Sequence, residues 1–309
     1  MKSLSRGEGK IPLLTAFVIY FKYPRQPASA GKLKWCQGSL IQLGQSPLVS
    51  DHGHEFWSRA LPNVDISGWV QEGIEDSGTN TPEWFRDPGS AQPWLFKESG
   101  NGSNNLHGKA WAEKIVYKVG TLLGVPCAPT HLATSSSRFG SISKNMASPE
   151  THLLSGSQLI SEMFLDFDAR DKKRRFHNLG VIQEILTGTQ APTGTKPQWL
   201  NGFDTFVDFL VLDALTASGD RHVENWGVLI GPEGRRLAPS WDHGNSLAFD
   251  LLESNREKWL GLGIDRFAAK GKPTKFEGGK GTTLAGLALD GLDRISTNSR
   301  DTGLRRSTP

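Results

Sequence analysis

The run Ser218-Gly219-Asp220-Arg221-His222-Val223-Glu224-Asn225-Trp226 sets acids, an imidazole and an amide in one turn, and Asp242-His243-Gly244 lies beyond a reversal at Gly231-Pro232-Glu233-Gly234. Apolar residues flank that reversal, so the stretch reads as a hairpin. Folding it brings Asn225 opposite the neighbourhood of Asp242, with opposed side chains ~5 Å apart. An acid and an amide oxygen without a cysteine or a histidine pair suit a hard ion such as Mg²⁺, which keeps waters and takes further ligands from phosphate. Asp220 supplies a second carboxylate at the mouth of the turn, able to orient or deprotonate a hydroxyl. Phosphoryl transfer asks little more of a protein: metal on the phosphates, a positive charge on their oxygens and a carboxylate beside the nucleophile. Lys97, ending the apolar run Pro93-Trp94-Leu95-Phe96, is the candidate charge, and Glu113 is the carboxylate that would hold it. His222 and His243 are read as packing or orienting their loops. Gly278-Gly279-Lys280-Gly281-Thr282-Thr283 lacks the spacing of a phosphate loop.

These side chains need elements to carry them. Val64-Asp65-Ile66, Trp69-Val70, Pro93 to Lys97, Thr130 to Thr134 and Ser141 to Ser143 read as strands of a small sheet. Gly108 to Leu123 reads as an amphipathic helix with Trp111, Ile115, Val119 and Leu122 on its core stripe and Glu113 off it, stopped by Gly124 and Pro126. Residues 151 to 186 read as helical, and 187 to 197 as a loop. Phe203 to Ala217 is apolar nearly all round and predicts a buried helix ended by Gly219. The chain divides into an irregular extension over 1–60, a first lobe over 61–148, a second over 149–292 and an unstructured polar tail over 293–309.

Composition narrows the function classes. The 309 residues carry 35 Lys+Arg and 32 Asp+Glu, a formal charge of +3, so no electrostatic footprint for nucleic acid is present. Lys172-Lys173-Arg174-Arg175 is the one basic run, read as capping or solvating a helix. No stretch reaches the ~18 apolar residues of a membrane span. Two cysteines exclude a disulfide framework and fit a reducing, cytoplasmic setting. Lys2, Arg6 and Lys10 before the apolar run 13–21 have the form of a leader, but Lys22 and Arg25 sit where a leader is uncharged, so the run is read as a strand. Asp51-His52-Gly53-His54 has no partners at ligand spacing and reads as a turn.

Together the motifs resemble the HipA-like kinases, bacterial Ser/Thr kinases of toxin and antitoxin systems. The residues that carry the resemblance are Lys97 in Trp-Leu-Phe-Lys, Glu113 in Ala-Glu-Lys-Ile, the Asp-Arg-His-x-x-Asn of 220 to 225 and the Asp-His-Gly of 242 to 244. Gly140-Ser141-Ile142-Ser143-Lys144 and the stretch from Phe267 to Leu289 also look like that family, over about Val64 to Leu292. Gly-Asp-Arg-His-x-x-Asn is similar, too, to the catalytic loop of phosphatidylinositol 3- and 4-kinases. The resemblance implies an α+β, two-lobed protein-kinase-like fold: a small β-sheet lobe with one key helix and a mainly helical lobe, with ATP and Mg²⁺ between them. It implies Asp220 as catalytic base, Asn225 and Asp242 as metal ligands, and Lys97 as the phosphate-binding lysine paired with Glu113. A protein substrate with a Ser or Thr hydroxyl and an antitoxin-like partner protein follow from it, with neither nucleic acid nor membrane bound directly. Gly78-Thr79-Asn80-Thr81 is the best candidate for a phosphate loop before Lys97, a departure from a Gly-rich pattern. A lipid kinase acting on phosphoinositides, and a pseudokinase that binds nucleotide or a partner without turnover, are the alternatives.

Overall fold

A computed structural model describes residues 61–74, 81–99, 108–195, 200–249, 251, 253–263, 266–267 and 269–305. The expected extension over 1–60, with its apolar run and His52 and His54, lies outside the described residues, as does Gly78-Thr79-Asn80.

Six short strands form the first sheet: β1 (Asn63–Asp65), β2 (Val70–Ile74), β3 (Glu83–Arg86), β4 (Pro93–Glu98), β5 (Thr130–Ser135) and β6 (Arg138–Lys144). Their spatial order is β1-β5-β6-β4-β3-β2, antiparallel throughout except for β1 beside β5. Strand side chains alternate between faces. Phe96 therefore shares one face with the buried Ile66, Phe85, Ala133 and Ile142, while Lys97 emerges on the other. Lys97 pairs with Ser141, and Ser141 with Leu132, which meets Ala110 of helix α1 (Gly108–Leu123). The helix thus covers the face of the sheet that carries the lysine.

The stripe expected to bury α1 is corrected at its ends, since Ile115 and Val119 are partly buried against the core. Trp111 and Leu122 are 36% and 86% exposed, and Ala110, Ala112, Glu113, Lys114, Val116 and Gly120 are the buried residues. The helix packs through small side chains: a Cβ on Gly120 would stand 2.6 Å from Cys127 Sγ and 3.6 Å from Leu212 Cδ2. Close approach, not side-chain size, selects the inward face here.

The second part of the fold is built on α4 (Gly202–Thr216), whose Phe203, Phe206, Val207, Phe209, Leu210, Val211 and Leu212 are buried. Each such side chain contributes roughly 1.5–3 kcal/mol of transfer free energy. The helix ends at Thr216 on Ala217, in the left-handed region at φ 54°, two residues before the expected stop at Gly219. The stretch 151–186 is not wholly helical. β7 (His152–Ser155) pairs antiparallel with β8 (Gly227–Gly231), which pairs with β9 (Gly234–Leu237), giving a three-stranded sheet. Leu153 and Leu154 stand opposite Leu229 and Val228, so ladder bonds outweigh helical propensity in this short run. Ser155 then starts α2 (Gly156–Met163) with a reciprocal capping box to Gln158. Turns lead to α3 (Leu179–Ile185), capped by Asn178. After α5 (Glu253–Leu262), α6 (Leu284–Arg305) packs on α4. It runs past Leu292 into the segment expected to be an unstructured tail, because buried Ile295 extends the apolar stripe of Leu284, Leu287 and Ala288. No helix among the described residues is long and apolar enough to cross a membrane.

Candidate active site

β4 delivers Lys97 and α1 delivers Glu113 to one crevice, and the loop after β9 delivers Asp242 to the same place. Lys97 Nζ donates to Asp242 Oδ1 at 2.7 Å and lies 3.9 Å from Glu113 Oε1. The other oxygen of Glu113 accepts the backbone N–H of His243 at 2.9 Å, and the backbone N–H of Gly244 also reaches this carboxylate. One glutamate therefore ties the lysine of the sheet to the Asp-His-Gly loop. Gly140 permits the close approach of β6 to β4 there: a Cβ on it would sit 2.1 Å from the carbonyl oxygen of Lys97.

The electrostatics follow from burial. Glu113 is enclosed, and desolvation pushes it up to about 7 against the pull of Lys97. Asp242 also feels burial, but the Lys97 charge and hydrogen bond outweigh it and hold the carboxyl below its ordinary range. The side chains of Lys97 and Asp242 remain 28% and 36% exposed, so both open to the crevice. Asp242 adopts φ 60°, the left-handed region that Asp enters more readily than most residues.

The second cluster sits on the turn between α4 and β8. Arg221 forks onto Asp213 of α4 at 2.7 and 2.9 Å and donates from Nη1 to the carbonyl of Asn225 at 2.8 Å. Its guanidinium also lies 5.6 Å from the ring centre of Phe209. This buried anchor fixes both ends of the turn. Asn225 Nδ2 donates to the backbone carbonyl of Asp220 at 2.8 Å, which leaves its amide oxygen without a protein partner among the described residues. Asp220 is held from two sides, by Lys275 Nζ at 2.9 Å on one carboxylate oxygen and by Asn245 Nδ2 at 2.5 Å on the other.

The predicted pairing of Asn225 with Asp242 is adjusted by the register. The hairpin ladder runs through Val228 opposite Leu237, which projects Asn225 onto Ser240 rather than Asp242. Ser240 instead bridges to Cys127, and the chain bends there into the Asp242 loop. The structure joins Lys97, Glu113 and Asp242 in direct contact, and joins Asp220 and Asn225 through the Asp220 carbonyl.

The two flanking histidines differ in setting, His243 enclosed and His222 partly exposed on its turn. His243 is buried, pushed down to about 3, with Nε2 3.1 Å from Ser240 Oγ. His222 accepts the backbone N–H of Glu224 at Nδ1, and burial lowers it. Ser135 and Ser141, hydroxyls of the first sheet, are buried.

Three residues at the site escaped the sequence reading: Lys275, Asn245 and His177. His177 accepts from the Trp226 indole at Nε2 (3.1 Å), meets the Lys275 carbonyl through Nδ1 (2.7 Å) and stacks on Phe276 at 4.3 Å. Burial pushes it down to about 4, so it stays neutral and carries its proton on Nδ1. Trp226, fully buried under α4, thereby fixes the backbone of Lys275. No local pattern announces these contacts. The only hint for Lys275 is the lone apolar Phe276 beside it in a polar run.

Of the two expected metal ligands, Asp242 offers a carboxylate and Asn225 an uncommitted amide oxygen, the donor types a hard ion such as Mg²⁺ takes. Among the described residues no three His, Cys, Asp or Glu side chains cluster as a metal cage, so water and phosphate oxygens would complete the shell.

No family model matches the sequence, and no curated protein matches it. Among solved structures, a chain of the Shewanella oneidensis MR-1 toxin–antitoxin complex of HipA, HipB and operator DNA is similar over 89% of this chain and 68% of its own, at 12% identity and TM-score 0.43. The Helicobacter pylori proinflammatory kinase CtkA is similar over 68% of this chain and 70% of its own, at 19% identity and TM-score 0.52. With a sheet and helix facing a mainly helical second part across the Lys97 to Asp242 crevice, this chain has a kinase-like fold.

Proposed function

We propose that the chain is a phosphotransferase that moves the γ-phosphate of ATP, with Mg²⁺, to a Ser or Thr hydroxyl of a protein. The observation that carries the reading is the convergence of Lys97, Glu113 and Asp242 from a strand, a helix and a post-hairpin loop. Such a lysine, held by a buried glutamate and opening to the crevice, is placed to take the oxygens of a polyphosphate. Asp242 and Asn225 would hold the metal, which when bound supplies charge neutralisation on the phosphate oxygens. Asp220 would accept the hydrogen bond of the incoming hydroxyl and take up its proton as the oxygen–phosphorus bond forms and the bond to the ADP oxygen breaks. Lys275 and Asn245 fix that carboxylate, and Arg221 fixes the turn that bears it. An antitoxin-like partner is the assembly that the motif resemblance supports.

The test is transfer of label from ATP in the presence of Mg²⁺. Asp220→Ala and Asp242→Ala should each lose at least about a hundredfold of the rate. Variants that transfer label as well as the parent overturn the assignment, and nucleotide-induced thermal stabilisation without transfer in the parent selects a binding-only protein.

A further inference from the structure

A cavity of about 210 Å³ is lined by Lys275 and by the Asp220 to Asn225 turn, through His222, Val223 and Glu224. The opposite wall is the turn between α2 and α3, which contributes Asp168 and Arg174. At ~30 Å³ per water the space equals about seven waters, enough for an anionic head group and part of its shell.

The basic run 172–175 was expected to solvate a helix, but it lies in this turn. Its arginines have different fates. Arg175 is taken by Asp171 at 2.9 Å and Asp166 at 3.1 Å. Arg174 donates from Nη1 to the carbonyl of Ala169 at 3.2 Å, and its remaining N–H groups have no protein acceptor among the described residues. The backbone is strained to set it there: Arg174 and Phe176 sit at φ 56° and 69°, and Phe176 is held by stacking on Phe164 at 4.2 Å. Two acids share the lining: Asp168 accepts the backbone N–H of Arg170 at 2.8 Å, and Glu224 is exposed, so an entering anion must outcompete them for Arg174. Lys275 meanwhile bridges the cavity and the Asp220 carboxylate, its backbone fixed by the Trp226 and His177 chain.

We infer that this cavity is the acceptor-side subsite, seating an anionic side chain of the substrate peptide, carboxylate or phosphorylated, close to the hydroxyl that Asp220 would receive. The inference rests on the proposed transfer reaction and narrows its substrate to acceptors with acid beside the Ser or Thr. Arg174 offers the planar fork suited to carboxylate and phosphate, and Lys275 the second charge.

Binding and turnover test it separately. Fluorescence anisotropy with the full chain measures Ser peptides carrying Asp, phosphoserine, Asn or Lys at each flanking position in turn. At one position Asp or phosphoserine should bind roughly tenfold tighter than Asn, the size of one charge-assisted hydrogen bond. Gain from phosphoserine alone identifies phosphate as the group, and gain from both identifies any anion. Arg174→Asn, which tolerates the left-handed backbone, should abolish most of the preference while leaving Asn-peptide affinity and the melting temperature unchanged. Equal binding of acidic and Asn peptides by the parent, or a preference that survives Arg174→Asn, overturns the subsite. Label transfer to the same peptides reports on the reaction: acidic preference in binding without transfer refutes the kinase reading alone, and transfer without preference refutes the subsite alone.

Discussion

Replacing Arg221 by Ala removes the anchor of the Asp220 turn, and the structure sets the cost. The pair with Asp213 is buried, with the two side chains 4% and 3% exposed, and both bonds are short. Removing one partner of such a pair leaves an uncompensated charge and typically costs about 3–5 kcal/mol. The Asn225 carbonyl loses its donor as well, worth about 1 kcal/mol. A loss of about 4 kcal/mol near neutral pH is expected, read as a lower midpoint in urea unfolding followed by tryptophan fluorescence. The pH dependence gives a sharper signature. Burial raises the Asp213 carboxyl above its ordinary 3.8 and Arg221 opposes that rise. The folded parent already holds this proton to higher pH than the unfolded chain; without the arginine it is held to higher pH still, so the variant's stability falls further than the parent's as pH climbs above about 4. The deficit of the variant should therefore shrink as pH is lowered toward 4. Removing both partners should cost less than the two single losses added together. A loss below about 1 kcal/mol, or a deficit that does not change with pH, refutes the picture of a buried charge left alone.

Two other perturbations test neighbouring parts of the crevice. Glu113, at about 7 in the fold against 4.5 unfolded, releases its proton later than the open chain, so its contribution to stability declines between those values by about 3 kcal/mol, at about 1.36 kcal/mol per pH unit. Glu113→Gln should remove that slope from urea midpoints measured between pH 4.5 and 8 while keeping an acceptor for the His243 N–H, and an unchanged slope counts against the enclosed carboxylate. Gly140→Ala forces a methyl against the Lys97 carbonyl, so it should destabilise by about 1–3 kcal/mol and weaken nucleotide-induced thermal stabilisation. Parent-like values in both measurements contradict the close packing of β6 on β4.

What was legible in the sequence was whatever local order could encode. Pro93 to Lys97 reads as a strand because four apolar residues end in a charge, and the turn from Ser218 to Trp226 reads as a site because polar groups crowd between an apolar helix and an apolar strand. The buried helix and the hairpin followed from apolar runs and from Gly231 to Gly234. The face of α1 was misread in part, since apolar size suggested Trp111 and Leu122 while the fold buries Ala112, Val116 and Gly120, the last against Cys127 and Leu212. β7 was hidden because four residues carry too little periodicity to outweigh helical neighbours, and its partner β8 lies far along the chain, Ser155 pairing with Gly227 and His152 with Ile230. Lys275 and Asn245 reach Asp220 from segments that come close only in the folded chain, so no spacing rule could pair them with it. The path of α6 beyond Leu292 rested on one residue, Ile295, amid a polar stretch.

The bond between Lys97 and Asp242 sets against each other the cation and the anion that a charged ligand would use. Entry of such a ligand is then a partner exchange rather than a simple addition, with this one ion pair broken as each of its members takes a new partner. Long-range attraction into a crevice so balanced is weak, and capture there depends on contacts made after arrival more than on steering during the approach.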